Sequence, residues 1–288
     1  MNGEIMINKD AILKAIREPM QQYYQDMTGV LGNWQPLERA AGLLLEGGDV
    51  HDDEIPPVYL PLLQMMRLIA KVTRESEWDW ADPRIQEIFK HKAASPLYRI
   101  FTNVMVATVS AIISTVRVGT LVEVGAGPGQ VTNSICEAMM QRQIAIPLII
   151  SDRAPGILQV RENLTKAFPS LAIHAFIWNI NELPPGELVD GLVKPVLVFE
   201  RFCLPYAGHE AIDMISPLAD ILVMQDDLSI TGRKMAFDFL YERIGTKFLT
   251  LGEAMHHLKK HFSFIHTCDR EITEAINSGV TTFTLAIK

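Results

Sequence analysis

The run Leu121-Val122-Glu123-Val124-Gly125-Ala126-Gly127-Pro128-Gly129-Gln130-Val131-Thr132 constrains this chain more tightly than any other part of it. An apolar segment stops at a glycine-rich turn, and a segment compatible with a helix follows at once. Glycine reaches positive φ without steric cost and lets the backbone come close to a ligand. The run therefore reads as strand, tight turn and helix start, the framework of an open α/β sheet with a ligand beyond its strand ends. The dinucleotide fingerprint spaces its glycines GxGxxG. Here the spacing is GxGxG, and Gln130 stands where that fingerprint has its third glycine. Glu123 lies two residues before the first glycine. Its carboxylate would repel a pyrophosphate and attract a cation, so the loop suits S-adenosyl-L-methionine (SAM), with its sulfonium and free ammonium, better than NAD. A bare strand-to-helix turn without a ligand would use the same residues.

Downstream of residue 117 the pattern supports such a sheet. Short apolar runs at 121–124, 147–151, 172–177, 195–199 and 220–224 are separated mostly by helix-length segments, the rhythm of βαβ units and of a parallel sheet covered on both faces. The runs 262–267 and 281–287 predict an antiparallel pair at the sheet edge, joined by a short connection. Thr250-Leu251-Gly252-Glu253 is a capping box opening the helix before them. Residues 1–116 show helical periodicity and few strand signals. In Tyr59-Leu60-Pro61-Leu62-Leu63-Gln64-Met65-Met66-Arg67-Leu68-Ile69 the apolar residues recur at helical spacing, and Pro56, Pro57 and Pro61 place the helix start near 58–61. Gly47-Gly48-Asp49 and residues 77–83 read as loops. The expected fold class is α/β: a Rossmann-like, mostly parallel sheet with an antiparallel edge strand over 117–288, preceded by a helical lid or substrate domain over 1–116.

Bulk properties exclude several function classes. The formal net charge is −8, which argues against an extended nucleic-acid surface, since that needs a basic face to release counterions. The apolar stretch 100–116 is short for a bilayer and is interrupted by Thr102, Asn103, Thr108 and Ser110, so a buried helix is expected rather than a membrane span. Cys136, Cys203 and Cys268 are scattered, without a disulfide framework or a thiolate zinc pattern. The first residues carry Glu4, Lys9 and Asp10 instead of an apolar signal core, which points to a cytoplasmic protein.

Ligands of open α/β sheets bind at the carboxyl ends of the strands, and the residues there form a series. Asp152 ends the second run and offers a carboxylate to both ribose hydroxyls of an adenosine; it could equally cap a helix from about Pro155. Asn179 and Ile180, after the third run, offer an amide for the adenine amino group and an apolar contact. With Glu123, Gly125, Ala126, Gly127, Gly129, Arg153 and Glu200, these are the candidate cofactor residues.

Leu121 to Gly129, Asp152 and Asn179 resemble the first motif, the ribose carboxylate and the adenine contact of the class I SAM-dependent methyltransferases, with asparagine where aspartate is commoner. A narrower similarity reaches upstream. Ala94-Ser95-Pro96-Leu97-Tyr98-Arg99-Ile100-Phe101-Thr102-Asn103 is similar to the segment entering the C-methyltransferase domains of polyketide synthases. Ile150-Ser151-Asp152-Arg153-Ala154-Pro155-Gly156-Ile157-Leu158 and Ile177-Trp178-Asn179-Ile180-Asn181-Glu182-Leu183-Pro184 are similar to their second and third motifs. The resemblance implies methyl transfer from SAM to carbon of an acyl or similar small molecule in natural-product biosynthesis, with the substrate free or tethered to a partner carrier protein. It also implies an N-terminal helical lid and contact of Tyr98 and Phe101 with SAM. Methylation of oxygen or nitrogen, SAM-site chemistry such as cyclisation or decarboxylation, and a non-enzymatic SAM-binding module are compatible with the same residues.

One departure matters. That family carries a histidine just after its fourth strand, acting as base with a downstream glutamate. Here Phe199-Glu200-Arg201-Phe202-Cys203-Leu204-Pro205-Tyr206 holds no histidine, and the fifth run leads into Gln225-Asp226-Asp227. Candidates for the vacant catalytic role are Glu200, Tyr206, His209 and Asp226. Structural alternatives are an ion pair of Glu200 with Arg201, a surface helix start at His209 and a cap at Asp226. Arg201 could hold an acidic substrate group by bidentate pairing, with Phe202 and Tyr24 beside the substrate. His257 and His261 lie one helical turn apart but lack a third ligand at diagnostic spacing. No metal is expected there; were the chain metal-dependent, His209 with Gln225 or Asp226 would be the better site.

Overall fold

Parallel strands covered on both faces need near-continuous apolar runs, and the five runs of the second half all become such strands. The computed structural model describes residues 7–31, 35–75, 95–229, 232, 234–267 and 281–288. The loop expected at 77–83 and the connection between the last two strands lie outside the described residues. In chain order the helical half contains α1 (Lys9–Leu31), α2 (Gln35–Glu46), α3 (Leu60–Glu75) and α4 (Pro96–Thr115). The sheet half follows as β1 (Thr120–Val124), α5 (Gln130–Gln141), β2 (Leu148–Asp152), α6 (Ile157–Ala167), β3 (Ile173–Ile177), α7 (Gly186–Asp190) and β4 (Val196–Arg201). It ends with α8 (Leu204–Ala207), α9 (Ala211–Ile215), β5 (Ile221–Ser229), α10 (Ala236–Glu242), β6 (Leu249–Thr250), α11 (Leu251–Leu258), β7 (Phe264–Thr267) and β8 (Thr281–Ile287). Half of the expected capping box forms at α11: the Glu253 N–H donates to Thr250 Oγ1 at 3.2 Å, while the Glu253 carboxylate accepts the Thr250 hydroxyl at 2.6 Å rather than the Thr250 backbone N–H.

The sheet runs β3-β2-β1-β4-β5-β8-β7, with β6 paired to the end of β5. Strands β1 to β5 are parallel. The expected antiparallel pair sits at the edge, with β8 antiparallel to both β5 and β7 and lying between them. Strand order reverses between β1 and β4, which makes their carboxyl ends the topological switch point. Strands β4 and β5 continue past their expected ends at 199 and 224. Glu200, Gln225 and Asp226 break the apolar pattern, yet their backbones stay in the ladder, Gln225 opposite Phe283 and Asp226 opposite Thr282.

Side chains alternate between two covered faces. On one face Leu121, Leu197, Phe199, Val223 and Phe283 pack under α4 and α5, and the same apolar cluster continues unbroken into α1, α2 and α3. On the other, Val122, Val198, Leu222 and Met224 pack under α7, α8, α9 and α11. Among the described residues α4 alone is long and apolar enough to cross a membrane; half of its most apolar window is buried within this protein. Its neighbours are α1 and α5, as the sequence reading of a core helix expects. Helix α10, from beyond residue 117, joins the helical layer: the Ala236 N–H donates to the Glu38 carboxylate and Arg243 donates to the Leu45 carbonyl at 3.1 Å.

The entry to β1 tolerates no side chain. A Cβ at Gly119 would stand 2.3 Å from the Val193 carbonyl oxygen and 2.7 Å from that of Lys194, both backbone atoms. Gly119→Ala is expected to lower the unfolding free energy by about 1–3 kcal/mol, measured by chemical denaturation. An unchanged midpoint would contradict so close an approach.

Candidate active site

The turn from β1 into α5 is made with positive φ at Gly125, Gly127 and Gly129. Their surroundings differ. A Cβ on Gly125 would lie 2.1 Å from Cys203 Sγ, and one on Gly129 would lie 2.5 Å from Val160, so protein already fills both places. Nothing lies within 4 Å of the corresponding point at Gly127. There a ligand can rest against bare backbone, with Ala126 buried beside it. The Cys203 thiol donates to the Val124 carbonyl at 3.2 Å and so ties the end of β4 to this loop.

Asp152 reaches across from β2 to the same opening. Its Oδ2 accepts the Gly127 N–H at 2.9 Å and its Oδ1 accepts the Ala154 N–H at 2.8 Å. Each carboxylate oxygen keeps a further lone-pair site, so the group is fixed in place and can still accept ribose hydroxyls. Arg153 follows on the exposed side. Beyond β3, Asn179 donates to Glu182 Oε1 at 3.0 Å and accepts the Asn181 N–H at 3.2 Å, while Ile180 is half-buried beside it. Glu123 is 4% exposed and accepts the Thr132 hydroxyl at 2.6 Å. Burial pushes its carboxyl up to about 7; Asp152 adds to this, against the Thr132 hydrogen bond and the Arg201 charge.

Alternation sends the polar residues at the ends of β4 and β5 to opposite faces. Glu200 and Asp226 turn away from α4. Glu200 Oε2 accepts the Cys203 N–H at 3.2 Å and Asp226 Oδ1 accepts the Leu204 N–H at 3.3 Å, so together they hold the start of α8. Burial raises the Glu200 carboxyl above its ordinary value and favours its protonated state. The alternative of a Glu200–Arg201 ion pair is not realised, because consecutive strand residues leave on opposite sides.

Arg201 and Gln225 take the α4 side, next to each other in register. Arg201 donates to Thr102 Oγ1 at 2.5 Å, and its guanidinium lies 5.3 Å from the Tyr98 ring centre and 5.8 Å from that of Phe202. Phe202 has a φ of 57°, a strained conformation for a bulky residue that costs about 1–3 kcal/mol. It is held there by its N–H donating to the Gln225 carbonyl at 2.9 Å and by ring contacts to Tyr98 and Phe101 at 5.3 and 5.4 Å. Gln225 is 0% exposed, and neither atom of its amide has a hydrogen-bond partner among the described residues. The Tyr24 side chain lies outside the described residues; its neighbour Tyr23 packs on Phe101 at 6.4 Å.

The structure keeps His209 away from this group. His209 is buried, not on the surface: Nε2 lies 3.1 Å from the Thr250 carbonyl, the ring stacks on His257, and burial lowers its basicity. Asp213 accepts from His257 and His261 at 2.8 Å each. Among the described residues no cluster of three or more His, Cys, Asp or Glu could hold a metal, and Gln225 and Asp226 face opposite sides. Tyr206 is half-buried on α8.

The fold recurs in solved structures. The CMeT domain of the citrinin polyketide synthase is similar with a TM-score of 0.71 at 12% identity, over 98% of both chains. The CurJ carbon methyltransferase gives 0.60 at 14% identity, over 80% of this chain and 67% of that one. The DszA carbon methyltransferase gives 0.59 at 12%, over 80% and 66%. The fold is that of the class I methyltransferases. No protein-family model and no curated protein sequence matches the chain.

Within this methyltransferase fold, sequence reasoning missed the supporting side chains. Cys203, Val160 and Thr102 each act through a contact distant in sequence, so spacing gives no sign of them, while Thr132 acts on Glu123 within the same strand–turn–helix run. The only local signal is a hydroxyl residue, Thr132, in the first turn of the helix after the loop.

Glu123 makes stability depend on pH. Its folded value of about 7 lies above its ordinary 4.5, so the native state holds a proton that the unfolded chain releases. The contribution, about 3 kcal/mol, is complete below pH 4.5 and disappears as pH rises through about 7. Glu123→Gln should flatten that part of the stability profile in denaturation measured from pH 5 to pH 8 (about the range in which the group titrates). A slope identical in wild type and variant would show that Glu123 is not the group responsible.

Proposed function

We propose that the chain transfers a methyl group from SAM to a carbon atom of an acyl or similar small molecule. The observation that carries this reading is the opening at Gly127, faced by bare backbone and bordered by a carboxylate fixed on two N–H groups. The donor set fits SAM residue by residue. Asp152 would take the ribose hydroxyls, Asn179 and Ile180 the adenine, and Glu123 the ammonium. When bound, SAM supplies a methyl carbon made electrophilic by the sulfonium. The residues of the chain orient that carbon toward the acceptor, and positioning of this kind is worth roughly 7–11 kcal/mol.

Tyr98 and Thr102 of α4 reach Arg201 and Phe202 at the end of β4. This supports a role for the helical half as a lid that closes over the acceptor and excludes water. The fold shared with carbon methyltransferases supports carbon as the acceptor atom and an acyl chain, free or borne by a carrier protein, as the substrate. Of the catalytic candidates, Glu200 and Asp226 support α8 from the far face and His209 is engaged with Thr250. That placement also favours a second reading, a SAM-site enzyme whose product carries no new methyl group.

Titration calorimetry of the full chain with SAM tests the first reading. Asp152→Ala is expected to weaken binding about 10–100-fold, the loss of hydrogen bonds to a charged group. Unchanged affinity in that variant would sink the cofactor assignment. Product mass separates the two chemistries, since methyl transfer adds one methylene and cyclisation or decarboxylation does not.

A further inference from the structure

We propose that Arg201 binds the carboxylate at the methionyl end of SAM, across from Glu123 at its ammonium, so that the chain selects a cofactor whose amino-acid head is intact. This rests on the SAM-dependent reading above and adds to it the residue that recognises the end of the cofactor away from the adenine.

The sheet sets two opposite charges on one face without joining them. Glu123 stands opposite Phe199 in register, and Arg201 follows Phe199 by two residues, so the strand period sends all three side chains to the face covered by α4 and α5. Strand spacing and rise put the α carbons of Glu123 and Arg201 about 8 Å apart. Burial disfavours both charges, while each charge favours the other. Even so, no ion pair joins them among the described residues, and no other carboxylate there lies within ion-pair distance of Arg201. Glu123 Oε2 accepts the Thr132 hydroxyl. Arg201 carries five N–H donors, and its one hydrogen bond goes to the neutral Thr102 hydroxyl. The Tyr98 and Phe202 rings hold the guanidinium in place without neutralising it. Buried charges are costly unless paired, and a ligand that carries both a cation and an anion pairs each of these.

An α-amino acid has that form, with ammonium and carboxylate on one carbon, so it spans two groups that do not reach each other. The orientation is fixed by charge: the carboxylate takes the guanidinium, which can grip it bidentately, and the reverse placement sets like charges together. The other groups that act on Glu123 do not compete for the head. Asp152 of β2 is held on two backbone N–H groups, and burial raises the Cys136 thiol of α5 to about 12, so it stays neutral. Two consequences follow. SAM and its product S-adenosylhomocysteine carry the same head, so Arg201 holds both alike and sets affinity rather than the rate of the chemical step. The Glu123 carboxyl lies at about 7, so an ammonium arriving near neutrality displaces a proton from the fraction that is still protonated. That proton goes to solvent, and affinity rises as pH passes upward through this value.

The test is titration calorimetry of the full chain with four ligands: SAM, S-adenosylhomocysteine, decarboxylated SAM, which keeps the amine and lacks the carboxylate, and methylthioadenosine, which lacks the whole head. The wild type should bind SAM about 10–100-fold more tightly than decarboxylated SAM, a comparison that needs no variant to fold. Arg201→Met should weaken SAM and S-adenosylhomocysteine by that same factor and leave decarboxylated SAM and methylthioadenosine no weaker. Arg201→Lys should restore part of the preference for the carboxylate. At about pH 6.5, in two buffers of different ionisation heat, SAM binding should release a fraction of a proton in the wild type and none in Glu123→Gln. Equal wild-type affinity for SAM and decarboxylated SAM overturns the proposal and leaves the SAM reading standing. So does an Arg201→Met variant that loses all four ligands to the same extent, which marks a structural role, or SAM binding without proton release, which places the ammonium away from Glu123. Absence of binding by all four ligands in the wild type overturns the SAM reading and this inference with it.

Discussion

The site depends on how the chain leaves β1. At Gly125 the backbone turns with the Cys203 sulfur occupying the place a side chain would need, which fixes the end of β4 against the glycine loop. From there the Asp152 carboxylate clamps the loop through the Gly127 N–H. Gly127 is left as the one of the three loop glycines that faces open space. Three neighbouring strands thus set one opening through a close packing contact and two short hydrogen bonds.

The strand period of two then divides the polar residues by task. Glu200 and Asp226 support α8 on one face; Arg201 and Gln225 stand under α4 on the other. A one-residue change of register would exchange the two sets. The same alternation puts Phe199 and Phe283 in the core beneath α4, so the helical half is seated on the sheet by the apolar surface that also frames the site. Phe202 joins the two, strained in its backbone yet held by a strand hydrogen bond and by the rings of α4. Strain of this kind survives where the surroundings over-determine it, and it clusters at functional sites.

Much of the fold is legible in the sequence because the relevant signals are local. Each parallel strand is a short apolar run bounded by turn residues, and the GxGxG turn and the Asp152 strand end stand out by residue type alone. The limits are equally physical. Expected strand ends stopped at Phe199 and Met224 because Glu200, Gln225 and Asp226 are polar, whereas pairing with neighbouring strands keeps them in the sheet. The burial of His209 and the contact of α10 with α2 depend on elements far apart in the chain. Which face a polar strand residue takes is decided by register, and that separates Glu200 from Arg201 although they are adjacent in sequence.

The central claim is that the β1 turn, Asp152 and the β4–β5 ends make one site for SAM and an acceptor. A crystal structure of the full chain with S-adenosylhomocysteine tests it most directly. The expected result places the ribose hydroxyls on the Asp152 carboxylate and the ligand against the backbone at Gly127, with its sulfur directed toward the Arg201 and Gln225 side of the sheet. A ligand bound elsewhere, or an empty loop at saturating concentration, would contradict it.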